Sequence, residues 1–256
     1  MTGRLLVRGM LIGLVAGLLS FCFLKLAGEP SVDRAIAFEK AMDETKAKAR
    51  ADEAAAKAKP APVEEVEPEL VSRPVQAGVG LLTGVVVYGT AFGGLFALVL
   101  ALAYRRMADL SPRATSALLA AVGFIAVYVT PMLKYPANPP SVGLPETIGM
   151  RTSLYFAMIL ISLAAMIAAG MLRNQLNPRF GGWNSALIAA GAYIVVMAGV
   201  AFALPGVNEV PEDFPATVLW QFRIASLGAQ LIMWTTLGLV FGVAAERQFA
   251  QHSLTA

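Results

Sequence analysis

Six stretches of this chain run for about twenty residues with almost no charge, at 5–27, 77–103, 114–133, 152–172, 185–204 and 222–245. A stretch of that length crosses a hydrocarbon core about 30 Å thick as an α-helix. Backbone in lipid has no water to bond, so each segment must satisfy its own amides and carbonyls, as a helix does. Charged residues make up 14 % of the chain, against roughly 25 % in soluble domains. The expected fold is all-α: a polytopic membrane bundle with six transmembrane helices. Its parts are a first helix at 1–27, a charged extracytoplasmic arm at 28–76, a five-helix core at 77–245 and a cytoplasmic tail at 246–256.

Charge placement sets the expected orientation. Arg4 and Arg8 precede the first span, Arg105, Arg106 and Arg113 fill the second link, and Arg173 and Arg179 fill the fourth. The alternate links differ. Residues 205–218 carry Glu209, Glu212 and Asp213 with no base before Arg223, and 134–151 has only Lys134 and Arg151. Short basic loops stay in the cytoplasm, so the chain is expected in the inner membrane of a bacterium with both termini in the cytoplasm. Arg4 and Arg8 ahead of the apolar run 9–24 also resemble a signal peptide. Lys25 occupies the small-residue cleavage region and no Ala-x-Ala follows, which favours an uncleaved span. Cleavage would leave five spans in the same orientation.

The arm is rich in Ala, Lys and Glu between Ala35 and Lys59, all strong helix formers. Its apolar stripe is thin: Val32, Ile36 and Met42. Beyond it, Pro60, Pro62 and Pro68 bracket Glu64, Glu65, Glu67 and Glu69, an extended acidic spacer. Either a mobile arm or one that collects cations or docks a partner fits this pattern. Gly9, Gly13 and Gly17, and again Gly238 and Gly242, fall four apart, the spacing that lets helices approach closely in lipid. These faces are expected to meet within one bundle.

Between the third and fourth spans lies a polar loop, 134–148, holding Pro136, Pro139, Pro140 and Pro145. Proline lacks an amide donor and clashes with the preceding turn, so this loop cannot be a continuous helix. Irregular backbone beside a bilayer must be covered by protein or face water. That makes it the leading candidate for a site.

Enzyme constellations are missing. There is no Walker loop, no His-Glu-x-x-His and no nucleophile elbow. One cysteine, Cys22, and one histidine, His252, leave no soft-ligand metal set. The chain reads as a non-enzyme with no cofactor and no nucleic-acid partner. What remains is a set of oxygen donors, Asn138 and Glu146 with Glu209 and Asp213, suited to divalent cations or, singly, ordinary solvated loop groups. Asn208 and Glu212 lie beside them. Arg151 and Arg223 sit at span ends, where a charge either snorkels to headgroups or forms a buried Arg–Glu pair that holds the two outer loops together. Glu146 is the nearest partner in sequence for Arg151. Trp183, Trp220 and Tyr135 have the placement of interfacial aromatics. No acid lies inside any span, so passage through the membrane would rest on Thr130, Ser162, Met158, Met166 and Met233.

The segment Pro131-Met-Leu-Lys-Tyr-Pro-Ala-Asn-Pro-Pro-Ser-Val-Gly, followed by Pro145-Glu-Thr-Ile and Arg151-Thr, resembles the CbtA family of predicted cobalt transporter subunits. So do Ser111-Pro-Arg-Ala-Thr, Pro205-Gly-Val-Asn-Glu-Val-Pro-Glu-Asp-Phe-Pro and Leu219-Trp-Gln-Phe-Arg-Ile-Ala-Ser-Leu-Gly. The resemblance runs from about Val75 onward. It implies uptake of Co²⁺ for cobalamin synthesis beside a small membrane partner, CbtB. It carries over, as motif positions, Lys134, Tyr135, Asn138, Pro139, Pro140, Glu146, Arg151, Asn208, Glu209, Asp213, Trp220 and Arg223. Some relatives have a histidine-rich first outer loop; here that region has no histidine. The function expected is a permease subunit for a divalent cation, cobalt above others. The alternative is a scaffold that organises a partner without transporting.

Overall fold

In a computed structural model, which describes residues 2–56, 71–104, 110–140 and 142–253, the chain is built from helices, and no strand occurs among those residues. The helices are α1 Thr2–Phe23, α2 Glu29–Ala56, α3 Arg73–Val75, α4 Leu81–Tyr104, α5 Pro112–Gly123, α6 Thr130–Lys134, α7 Ile148–Ala203, α8 Ala216–Thr236 and α9 Gly242–Ser253. Wider π-helical turns at Leu24–Gly28, Gln76–Gly80, Phe124–Val129 and Leu237–Phe241 join several of them without a break. Five continuous stretches result that are long and apolar enough to cross a membrane: Gly3–Ala55, Arg73–Tyr104, Pro112–Lys134, Ile148–Ala203 and Ala216–Gln248.

The fourth stretch holds two of the apolar runs. As one straight helix its 56 residues would be roughly 84 Å long. It is bent back instead. Gly181 has φ 74° and ψ 166°, outside the helical region and favourable for glycine, three residues after Pro178. The Ser185 hydroxyl donates to the Gly181 and Gly182 carbonyls at 2.7 and 3.1 Å, holding the corner. Ser162 and Tyr193 would be roughly 46 Å apart on a straight helix, yet their hydroxyls are 2.7 Å apart. The stretch is a hairpin with arms 148–180 and 182–203.

Two of the π-helical turns explain how proline survives inside long helices. Leu24–Gly28 lies just before Pro30, and Phe124–Val129 just before Pro131. A widened turn moves the carbonyl four residues back away from the pyrrolidine ring, which would otherwise strike it.

The bundle is tied by small residues and one aromatic knot. The glycines of α1 face those of α4, within the chain as expected. A Cβ on Gly13 would fall on the Gly89 carbonyl oxygen, and one on Gly93 would fall on that of Gly9. Gly238 and Gly242 likewise meet α5 at Ala120 and Arg113. Trp234 on α8 sits at the centre, edge-on to Phe92 at 4.9 Å and packed over Gly123. Leu5, Phe96, Leu100, Leu237 and Phe241 complete this core.

The arm is docked over its first turns. α1 runs through the π-helical turn into α2, whose Val32 and Ala35 are buried. Ala35 packs with Val142, Phe214 and Val218, and Phe38 meets Phe214 edge-on at 5.1 Å. The seam therefore runs through Ala35 and Phe38 beside the expected Val32. From Asp43 onward α2 is almost wholly exposed. Arg73 returns to its base, bonding Glu29 at 2.5 Å and Asp33 at 2.9 Å. The acidic run Glu64–Glu69, with Arg105 and Arg106, lies outside the described residues.

Arg8 donates to the Ala244 carbonyl at 3.0 Å, and Arg113 pairs with Glu246. The N- and C-terminal helices thus share one end of the bundle. The 134–148 loop, the 204–215 loop and α2 share the other.

Candidate functional site

The loop leaving α6 is stiff because its prolines restrict the chain, and α8 and the 204–215 loop pin it. Tyr135 donates from its hydroxyl to the Pro205 carbonyl at 2.9 Å. Arg223, on α8, donates from Nε to the Ala137 carbonyl at 3.1 Å and from Nη2 to Asn138 Oδ1 at 3.0 Å. Arg151, in the first turns of α7, pairs through Nε with Glu209 Oε2 at 3.2 Å. The same oxygen accepts the Leu144 amide at 3.0 Å. Arg151 was expected at the headgroups or in a buried Arg–Glu pair that holds the two outer loops together, with Glu146 as its feasible partner; the pair forms, with a different glutamate. Arg151 is held by Glu209 from the following loop, which ties the two loops together. Glu146 lies on a short 3₁₀ turn, Pro145–Thr147, that leaves it exposed.

Gly143 sits where this knot closes. Its φ of 126° is strained for any side-chain-bearing residue, and a Cβ there would lie 2.7 Å from Arg151 Nη1 and 2.9 Å from Glu209 Oε2. The Glu209 side chain is only 8 % exposed. The Thr147 hydroxyl, the Leu144 amide and the Arg151 guanidinium hold its carboxyl below the ordinary carboxylate range. Glu209 Oε1 and Arg151 Nε are buried and make no hydrogen bond.

These residues line a cavity of about 780 Å³. Asn138, Pro139, Pro140, Asn208, Glu209 and Val210 form its loop walls, with Arg151 and Arg223 on its helical wall. Glu39 of the docked α2 lines it from the arm. Deeper in the bundle it reaches Tyr128, Thr152, Tyr155 and Ser226, where the Tyr128 and Ser226 hydroxyls are 2.8 Å apart. One turn beyond Tyr155 along α7 lies Met158, 1 % exposed, in a cluster with Tyr193, Met197 and Met166. There the Tyr193 hydroxyl bonds both Thr130 at 2.8 Å and Ser162 at 2.7 Å, all three buried. Four of the five oxygen and sulfur residues expected to serve passage, Thr130, Ser162, Met158 and Met166, thus converge. Met233 does not; it belongs to the Trp234 core.

The expected carboxylate set is not assembled. Asn138 and Glu209 face the cavity, but Glu146 and Asp213 are exposed and do not line it. Asp213 points outward because its neighbour Phe214 is the one buried under α2. Among the described residues no three His, Cys, Asp or Glu side chains come together. Tyr135, Pro139, Pro140, Asn208, Arg151 and Arg223 all line the cavity. Lys134 lies over the Tyr135 ring at 5.9 Å, and Trp220 is 64 % exposed, as interfacial residues are.

Sequence reasoning missed Gly143, Glu39 and Tyr193. Glu39 was findable as the polar neighbour of Phe38 on the docked seam. Tyr193 was findable as a hydroxyl in the otherwise apolar run 186–203. Gly143, one glycine among many, carried no distinguishing signal.

A helical bundle with apolar crossing segments, a stiff polar vestibule at one end and a chain of hydroxyls beneath it defines an integral membrane protein. The family profile described as "Probable cobalt transporter subunit (CbtA)" matches residues 2–246, nearly the whole length. The chain belongs to the CbtA family. That match extends the resemblance through α1 and α2. No curated protein and no solved structure matched.

Proposed function

We propose that this chain is the membrane-embedded subunit through which a divalent metal ion, cobalt for cobalamin synthesis, enters a bacterial cell across the cytoplasmic membrane. It makes six crossings, counting both arms of the α7 hairpin, with both termini in the cytoplasm. It works with a small CbtB-like partner. The observation that carries this reading is a polar vestibule whose Tyr135 wall packs against the buried cluster of Met158, Tyr193 and Met197, where Tyr193 bonds Thr130 and Ser162.

The vestibule receives the metal near Glu209 Oε1 and Asn138. Hydroxyls and the thioethers of Met158 and Met197 supply the polar surface deeper in. The apolar spans hold no carboxylate, and intramembrane carboxylates usually carry the coupled proton. Entry down the membrane potential therefore suits the chain better than tight proton exchange.

The competing reading is a scaffold that organises a transporting partner, favoured by the exposed second half of α2, which offers a long polar surface to another protein. Accumulation of ⁵⁷Co in cells lacking other cobalt import, with and without the partner, separates the two. A Glu146/Glu209/Asp213 triple alanine variant that assembles with the partner yet loses uptake supports the permease. A variant that loses neither or both supports the scaffold.

A further inference from the structure

The vestibule is poorly built for a bare aquo cation. Its formal charges balance, Glu39 and Glu209 against Arg151 and Arg223. Arg223 uses Nε and Nη2 on neutral acceptors, the Ala137 carbonyl and the Asn138 amide oxygen. A guanidinium offers five donors, and its fork matches a carboxylate. Beside it lies a buried acceptor with no hydrogen bond, Glu209 Oε1, while Arg151 pairs through Nε with Glu209 Oε2. Among the described residues no acidic or imidazole cluster could strip and hold a naked ion. The volume, about 780 Å³, lies in the range of small-molecule pockets, roughly 300–1,000 Å³.

We propose that the vestibule takes its metal as an anionic chelate: a divalent cation already held by a small di- or tricarboxylate. The carboxylate oxygens meet the Arg223 and Arg151 guanidinium groups, and metal-bound waters donate to Glu209 Oε1. No bond to carbon forms or breaks; the complex docks whole, and the metal leaves its carboxylate ligands in the vestibule, so that the cation alone moves inward down the membrane potential. This rests on the metal-transport reading and names the form in which the metal arrives.

The test is double-label equilibrium binding to the full chain in lipid nanodiscs. The probes are ⁵⁷Co²⁺ alone, ¹⁴C-citrate alone, and the two mixed one to one. The expected result is joint retention of both labels at equal stoichiometry from the mixture and little of either alone. Arg223→Gln lowers it at least tenfold, and Arg223→Lys, which keeps the charge, recovers part of the loss. Binding of ⁵⁷Co alone, unchanged by citrate and by Arg223→Gln, overturns the chelate while leaving metal transport standing. Binding of neither form to folded wild-type protein overturns the metal reading itself, and the chelate with it. The wild-type comparison does not depend on any variant folding.

Discussion

Arg151 and Glu209 come from opposite ends of the α7 hairpin and its following loop, yet their side chains pair at 3.2 Å beneath the Leu144 amide. That pair closes the loop end of the hairpin and sets one wall of the vestibule. Its carboxyl is held below the ordinary value of 4.5. A depressed folded pKa stabilises the ionised loop above the unfolded value and loses that contribution as pH falls through the folded one. The Leu144 amide should therefore stay protected from exchange at neutral pH and lose protection below pH about 4.5. In Glu209→Gln the protection should be lower at neutral pH and flat across this window. Hydrogen exchange by mass spectrometry checks both.

The α1–α4 contact should tolerate no side chain at its crossing. Gly13→Ala drives a methyl into the Gly89 carbonyl, and overpacking of this kind costs about 1–3 kcal/mol. Gly84, on the same helix as Gly89, has open space where its Cβ would be, so Gly84→Ala should leave stability unchanged or raise it slightly. Thermal unfolding in detergent distinguishes them, and equal effects would contradict the packing described.

Tyr193→Phe removes the hydroxyl that Thr130 and Ser162 share. Interhelical hydrogen bonds in membranes contribute about 0.6 kcal/mol on average and up to about 1.7. The variant should unfold at a modestly lower temperature, while ⁵⁷Co uptake per folded molecule falls several-fold. A stability loss with uptake intact would make the cluster glue alone.

The docking of α2 is testable with one cysteine. In a Cys22→Ala background, Ala35→Cys should resist a soluble maleimide, since position 35 is 1 % exposed. Adding Phe38→Ala removes the edge-on contact with Phe214, an interaction of about 1 kcal/mol, and should raise labelling. Full labelling without that second change would mean the arm does not rest on the loops.

Much of this arrangement could be read from the residues alone. Apolar length gave helices able to cross a membrane, and four-residue glycine spacing marked α1 as a closely packing helix, because both follow from local pattern; that α4 is its partner did not. The proline loop stood out as the candidate for the same reason, and its residues line the cavity. Partner choice was not legible. Arg151 lies nearer Glu146 in sequence, but the hairpin corner at Gly181 brings Glu209 to it from across the fold. Nor could the sequence show that Phe214, rather than Asp213, would turn inward, because that depends on α2 lying over the loop. The weak stripe on α2 was misjudged for a related reason: Ala35 is too small to look like an anchor until Phe214 is packed on it.

The most direct test is ⁵⁷Co influx into proteoliposomes containing the purified chain and its small partner, with an inside-negative potential, using free and citrate-bound cobalt. Potential-driven influx is expected, and Tyr193→Phe and Glu209→Gln should each reduce it several-fold without loss of reconstituted protein. Influx equal to that of liposomes holding the partner alone would contradict the permease reading and leave the chain as the partner's scaffold.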